Sequence, residues 1–526
     1  MLNGFFRRSA LAMAAALLTF TAMTPAADWP QLQNDAARTG RTKDTVLAPY
    51  RARWIWMGPD HVLRNRESRP GDANWTDDLT SGEGKNYRMP RSLPFSFAGS
   101  MQPIVVAGRV FVGDAQGSVY AISGDDGSTL WTAPNPGGTL WNGVATDSVV
   151  AFPSVYGYVT GYDAATGRQL WRIDTGRTIT CAPALLDGVL YVANHGGQVF
   201  AIQLADGKLL WTSQRLGGPI QGGLCVANGR VYVGVDTMYA VALDIKTGQQ
   251  VAARKVTGQS FRFTWPVAVR DRVIFTTVGI IVPGSEYVND PVLAGKPGQA
   301  VGWVPNAKPG HPTPQAEEEA MRAWLAGDGS DWELFYSLRA DNLQKDYIVA
   351  AGAIEGCGSS PEPPVIDWQD RPLIWWATAY PTFTKRGTFG SSYSVDISAF
   401  DLNTGRRILI DNGRFGVGTT ETDNLYGLTI GGDILYLRQN FRGTQWVNLR
   451  TSEGGWISAV YRYRDGGGWP APINYANGSR TSDTAPDMVR PPSVPAPPFG
   501  RVGPTIADNR LYFTEDFAVT CAETAR

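Results

Sequence analysis

The sequence predicts an all-β fold, an eight-bladed β-propeller of four-stranded antiparallel blades, and three observations predict it. Glycines recur at Gly127, Gly167, Gly207 and Gly248, in steps of 40, 40 and 41 residues. Tryptophans keep the same step at Trp131, Trp171 and Trp211. Each unit also carries a β-branched and aromatic run after a turn: Gly108–Val112, Gly188–Val192 and Gly229–Val233. A fixed period of about 40 residues marks a repeat architecture. Strand-forming runs bounded by tight turns, four to a period, mark a propeller blade.

Within a unit, a short apolar run such as Pro183–Leu186 gives the first strand and the run after it the second. An Asp-Gly or Thr-Gly turn then leads into the outer strand, and glycine there permits the positive φ of a tight hairpin. The tryptophan that follows can lie flat between neighbouring blades. Truncating such a side chain is expected to cost about 3–5 kcal/mol, so these tryptophans read as packing and not as a binding site. Units one to four end near Trp131, Trp171, Trp211 and Val251. The fifth starts at Pro266 and Val273–Phe275 and resumes at Phe335–Leu338. The sixth runs from Leu373–Trp376 to Asp401, Thr404 and Gly405, with Leu409 in the tryptophan position. The seventh includes Ile434–Leu437 and Trp446–Trp456. The eighth begins at Pro504 and Leu511–Phe513 and ends after about three strands. Arg53–Trp56, near the other end of the chain, has the character of the missing strand. Joining the two ends in one blade removes the open edges. Seven blades is the alternative count.

The 526 residues are 43% hydrophobic and 18% charged, which suits a large core. A net charge of -1 lacks the basic excess that a nucleic-acid partner requires. Residues 1–27 read as a signal peptide: Arg7 and Arg8, an apolar stretch from Ala10 to Ala22, then Thr24, Pro25, Ala26 and Ala27 before Asp28. The arginine pair loosely resembles a twin-arginine signal. The apolar stretch is too short to span a bilayer, and no later segment is apolar enough to do so. The expectation is an exported chain, periplasmic or secreted, cleaved near residue 27, with residues 28–526 as one monomeric propeller. No cysteine near the cleavage region invites a lipid anchor. Cys181, Cys225, Cys357 and Cys521 form no CxxC and no CxxCH, which excludes covalent c-type haem and reads as free, buried thiols.

Lettering the strands a to d from the axis outwards, the a–b and c–d turns share one face, and the b–c turns and d–a links share the other. Insertions at 58–101, 280–331, 381–392 and 465–499 are all expected on the second face. Long loops in a compact fold carry function or disorder. The 280–331 insertion predicts one helix, opened by Thr313 and Pro314, with Glu317–Glu319 in its first turn and Gly327 at its end. On the decorated face, Asn194 and His195 occupy a b–c turn, and Asp114 and Gln116 the equivalent turn of the first blade. Arg262 and Trp265 enter the fifth blade near the axis, and an arginine beside an aromatic suits an anionic or planar ligand. These six residues are the candidate ligand site. With only His61, His195 and His311, a multi-histidine metal centre is excluded.

The pattern Asp163, Thr166, Gly167, Trp171, with partial copies at Ala242, Asp244, Thr247, Gly248 and at Ala399, Asp401, Thr404, Gly405, resembles the tryptophan-docking repeat of quinoprotein propellers. The group resembled is the pyrroloquinoline-quinone-like repeat proteins. It includes quinoprotein alcohol dehydrogenases and the propeller subunit of the outer-membrane barrel-assembly machinery. The resemblance is clear over residues 102–255 and weaker over 264–526 and 45–57. Quinoprotein alcohol dehydrogenases usually carry a vicinal disulfide and many a haem domain; this chain has no Cys-Cys pair and no haem motif. The barrel-assembly subunit is usually a lipoprotein, which this chain's cysteines do not match. The expectation is therefore a non-catalytic propeller without a cofactor, binding a protein, carbohydrate or other small-molecule partner through its loop-rich face. The alternative is an alcohol or sugar dehydrogenase using pyrroloquinoline quinone with calcium.

Overall fold

In a computed structural model the chain closes into a ring of eight antiparallel blades. The structure describes residues 27–60, 62–64, 97, 101–258, 260–262, 264–277, 319, 322–323, 325–327, 330–349, 363–367, 372–383, 389–408, 415–417, 426–439, 443–451, 453–458, 502–515 and 518–524. Blade one is Ile104–Val106, Arg109–Gly113, Ser118–Ser123 and Thr129–Pro134, and blade two is Val144–Ala145, Val149–Pro153, Tyr158–Asp163 and Gln169–Asp174. Blade three is Ala184–Leu186, Val189–Ala193, Val199–Gln203 and Leu209–Thr212, and blade four is Leu224–Ala227, Arg230–Val235, Tyr239–Asp244 and Gln250–Lys255. Blade five is Val267–Val269, Arg272–Thr276, Phe335–Arg339 and Lys345–Ile348. Blade six is Val365–Asp367, Leu373–Phe383, Phe389–Asp401 and Arg407–Ile408, and blade seven is Tyr426–Gly431, Ile434–Gln439, Gly443–Asn448 and Gly454–Ser458. Blade eight takes Thr505–Ala507, Arg510–Glu515 and Ala518–Thr524 from the C-terminal end. Its fourth strand is Tyr50–Trp56, paired antiparallel to Ala518–Thr524. The ring therefore closes through the strand that Arg53–Trp56 predicts.

The repeated tryptophans tie each blade to the next. Trp131 Nε1 donates to the Ala164 carbonyl at 3.1 Å, Trp171 to Leu204 at 2.9 Å and Trp211 to Ile245 at 3.0 Å. Each acceptor lies in the c–d hairpin of the following blade. Trp54 does the same from blade eight to Gly124 of blade one, at 2.9 Å. In blade five Tyr347 takes over, donating its hydroxyl to Leu402 at 2.7 Å. The hairpin glycine is needed twice over. Gly207 has φ +74°, and a Cβ there would stand 2.6 Å from Trp171 Cγ.

One feature was not expected from the sequence: residues 28–42 cross the axis and tie the inner strands together. Trp29 exchanges both backbone bonds with Val105 of blade one, and Pro30 accepts from Ala145 of blade two. The Gln31 side chain pairs with the backbone of Leu185 in blade three. Ala36, Ala37, Thr39 and Gly40 accept from Val226, Ala268, Ile366 and Ile430, in blades four, five, six and seven. Arg41–Thr42 then runs parallel beside the inner strand of blade seven. Arg38 is fully buried, and its guanidinium donates to Leu32, Leu224 and Pro183 carbonyls at 2.7, 2.9 and 2.5 Å. Burial pushes it down to about 10. Arg41 forms a buried ion pair with Asp367. The segment meets the inner strands near their a–b turns, on the face opposite the b–c turns. It also borders an open cavity of about 480 Å³ against the a–b turns of blades two and three.

The insertions follow several courses. In blade six, strands b and c run on to Phe383 and resume at Phe389, so much of 381–392 is an extended hairpin. After residue 58 the chain adds Val62–Arg64 as a fifth strand outside blade eight. In the 280–331 insertion, residues 319, 322, 323, 325 and 326 are helical, and the helix ends in a turn at Gly327 as predicted. This helix does not cap the b–c face. Arg322 donates to Ile348 and Gly405, and Glu319 pairs with Arg406 at 2.6 Å, so it lies on the rim between blades five and six. Its expected first residues and the 465–499 insertion lie outside the described residues. Among the described residues no helix is long and apolar enough to cross a membrane.

Candidate functional site

The b–c turns and d–a links of blades two to five surround the axis on one face and lock into one another. The His195 N–H donates to Thr178 at 2.8 Å, and the Asp236 N–H to Pro219 at 2.9 Å. At the b–c turns, the residue just after strand b has a structural duty. Asp114 is buried, and its Oδ1 accepts from the backbone of Gln116, Gly117 and Ser118 at 3.1, 2.7 and 2.7 Å. Its Oδ2 accepts from the Tyr120 hydroxyl at 2.9 Å. Burial raises the Asp114 carboxyl above its usual range, against the pull of these bonds. Asn194 plays the same part in blade three: its Oδ1 accepts from Gly196 at 2.9 Å, and its Nδ2 donates to Thr175 at 3.0 Å. Both side chains are consumed in shaping turns. Gln116 is exposed at the tip of its turn.

His195 and Arg262 are brought into one cluster. The half-buried His195 ring places Nε2 2.7 Å from Thr180 Oγ1, and that hydroxyl donates to the Gln221 carbonyl at 3.2 Å. The Gln221 side-chain amide donates to Asp236 Oδ2. Asp236 Oδ1 accepts from Ser260 Oγ at 3.1 Å and from the Phe261 N–H at 3.0 Å. Ser260 Oγ accepts in turn from the Arg262 N–H at 2.8 Å. A continuous polar relay thus crosses blades three, four and five, with the exposed Arg262 at one end. At the other end, the exposed Arg177 passes its Cγ over Gly196. Burial lowers the His195 imidazole below its ordinary value; Arg262 adds to this and Asp236 opposes it. The neutral imidazole is therefore favoured. Thr180 and His195 are spaced like a nucleophile and base, but Asp236 is engaged by Gln221, Ser260 and Phe261 and does not orient the ring. The relay holds a shaped, polar surface between two guanidinium groups.

Trp265 does not join Arg262. It is 1% exposed and stands edge-on to Trp141, with centroids 5.9 Å apart and planes at 90°. Quinone binding with calcium calls for an open aromatic shelf and a set of oxygen donors. Trp265 offers no open face. Among the described residues no group of three or more His, Cys, Asp or Glu is gathered to hold a metal ion. Trp265 therefore does not supply such a shelf.

Thr180, Gln221, Asp236 and Ser260 escaped sequence reasoning. A usable signal existed for Asp236, which follows strand b as Asp114 and Asn194 do in their blades. Asn142 was also missed: it is fully buried, and neither its amide nitrogen nor its oxygen has a hydrogen-bond partner. Cys181, Cys225 and Cys521 are free and buried, as the spacing suggests, and Cys357 lies outside the described residues.

Residues 155–282 match the family model described as outer membrane protein assembly factor BamB. Over 160 residues the chain is 30% identical to the outer membrane protein assembly factor BamB of Burkholderia pseudomallei, covering 28% of this chain and 40% of that protein. Over 167 residues it is 28% identical to the 1-butanol dehydrogenase (cytochrome c) of Thauera butanivorans, covering 29% of this chain and 23% of that protein. The matches thus span less than half the length of these two relatives. Among solved structures, the quinohemoprotein alcohol dehydrogenase from Comamonas testosteroni superposes with a TM-score of 0.50 at 13% identity, over 81% of this chain and 72% of that one. The chain therefore has the pyrroloquinoline-quinone/BamB-like β-propeller fold, related both to BamB and to quinoprotein dehydrogenases.

Proposed function

We propose that this is an exported, non-catalytic propeller that binds a ligand or protein partner through the face bearing its b–c turns and d–a links. The observation that carries the reading is the relay from His195 through Thr180, Gln221 and Asp236 to Ser260. Its members are committed to holding shape, while Arg177 and Arg262 stand exposed at its ends. Exposed polar side chains on a rigid rim suit recognition better than bond-making. The likeness to BamB supports this reading, and the leader-like residues 1–27 support export.

The test is reconstitution of the purified protein with pyrroloquinoline quinone and calcium, followed by dye reduction with alcohols and sugars. The expected result is neither stoichiometric quinone binding nor dye reduction. Stoichiometric binding with turnover would replace the binding reading by an oxidoreductase.

A further inference from the structure

We infer that the leader is removed between Ala26 and Ala27, and that the ammonium group formed on Ala27 pairs with the Asp44 carboxylate to fix the start of the axial segment. This rests on the reading that the chain is exported.

Two observations meet at this point. In the sequence, Thr24 and Ala26 put small residues three places and one place before the bond, the arrangement a leader peptidase accepts. One residue further on, the equivalent place falls to Pro25. In the structure, the backbone nitrogen of Ala27 already donates to Asp44 Oδ2 at 3.1 Å. The chain beyond it is committed to the fold. Asp28 Oδ1 accepts from the Ala107 N–H at 3.0 Å, and Trp29 is fully buried and bonded to Val105 on both sides. A cut after Trp29 would detach the indole that donates to Gln102 Oε1 at 3.1 Å.

The chemistry balances without a further reactant. Water adds across the Ala26–Ala27 amide, Ala26 leaves as a carboxylate, and the nitrogen of Ala27 keeps its place as an ammonium. A hydrogen bond from an amide to a carboxylate thereby becomes a charge-assisted one. The surroundings favour the positive charge. Asp28 and Asp44 lie close enough to Asp508 to raise its carboxyl, behind the larger effect of burial, with Arg510 opposing them. Lys43 adjoins the pair in sequence and is exposed. An opposite charge in contact disfavours the free amine about tenfold. An ammonium held in this way contributes its full stabilisation below the ordinary α-amino value of about 7.7–8.0 and loses it as pH rises through the folded value.

The experiment uses the full chain, expressed with its leader and recovered from the exported fraction. Intact mass and N-terminal sequencing are expected to give Ala27 as the first residue. A first residue at Asp28 or later would overturn the assignment. A chain that keeps residues 1–26 would overturn the export reading itself. The α-amine is then pulsed with an acylating reagent at pH 7. Labelling is expected to be about tenfold faster in Asp44→Asn than in the parent, with Asp44→Glu returning to the slow rate. Equal rates in the three folded proteins, or a difference that persists in urea, would overturn the ammonium–carboxylate pair.

Discussion

Gly207→Ala tests whether tryptophan docking works as a coupled contact between blades. The new methyl group meets two obstacles. At φ +74° an alanine is in the left-handed region, at a cost of about 1–2 kcal/mol. Its Cβ would also stand 2.6 Å from Trp171 Cγ and 2.7 Å from Cδ2, which forces the indole off its seat at a further cost of about 1–3 kcal/mol. The single variant should therefore lose about 2–5 kcal/mol. Trp171→Ala should lose about 3–5 kcal/mol from burial alone, with the Leu204 carbonyl also left without its donor. In the double variant the contacts with the indole ring are gone and only the 2.9 Å approach to the Cβ of position 171 remains, so little more than the backbone cost of about 1–2 kcal/mol should be added to the tryptophan loss. Urea unfolding of the four proteins closes the cycle. The expected coupling is about 1–3 kcal/mol, the part of the clash made with the indole ring. Losses that add to within about 0.5 kcal/mol would refute the argument that the glycine is there for the indole.

Three further outcomes follow from the buried polar groups. Arg38→Met should destabilise by about 3–5 kcal/mol, because the carbonyls of Leu32, Leu224 and Pro183 lose a donor inside the core; thermal unfolding against the parent measures it. Asn142→Leu should be near neutral or stabilising in the protein alone, since neither end of that amide is bonded, and a large loss of stability would show a missing partner. His195 should titrate below its ordinary value of 6.5. The unfolded chain then binds the proton first, so the stability linked to this group is complete above about pH 6.5 and is lost as pH falls through the folded value. NMR titration of the His195 ring in the parent and in Arg262→Gln checks the direction, with the variant moving back towards 6.5.

The repeat was legible because it is local. Gly167 and Trp171 lie four residues apart, and their joint recurrence at fixed steps names a hairpin, a blade and a blade count. The closing strand was legible because Arg53–Trp56 reads as a strand beside a last blade that is one strand short. Tyr347 in the docking role was not, because a phenol reproduces the indole's hydrogen bond without its letter. The site was only half legible. His195 and Arg262 could be placed on one face from turn order. Their link through Thr180, Gln221 and Asp236 depends on three segments meeting in space. Asp114 and Asn194 carry a duty that one sequence does not display: their Oδ1 atoms hold the backbone of their own turns, and Asp114 Oδ2 takes the Tyr120 hydroxyl. The burial of Trp265 was not legible for a related reason, since nearness in sequence to Arg262 does not stop the core from claiming the ring. The contacts of the 280–331 helix with blades five and six were not legible, because strand order says where an insertion leaves a blade, not which way it turns.

The segment at Asp28–Thr42 changes what kind of object the ring is. In an array of repeats each unit touches only its neighbours, and stability is a sum of unit and neighbour contributions that can be lost piece by piece. Here a single strand of chain bonds to the inner strands of blades one to seven. These seven blades are thereby coupled to one another through one shared element, and loosening any of them strains the bonds of the rest. Unfolding should lose its piecemeal character and become cooperative across the whole propeller. Folding carries the converse demand, because the first part of the chain to appear must wait for partners as late as Ile430 before it has anywhere to bind.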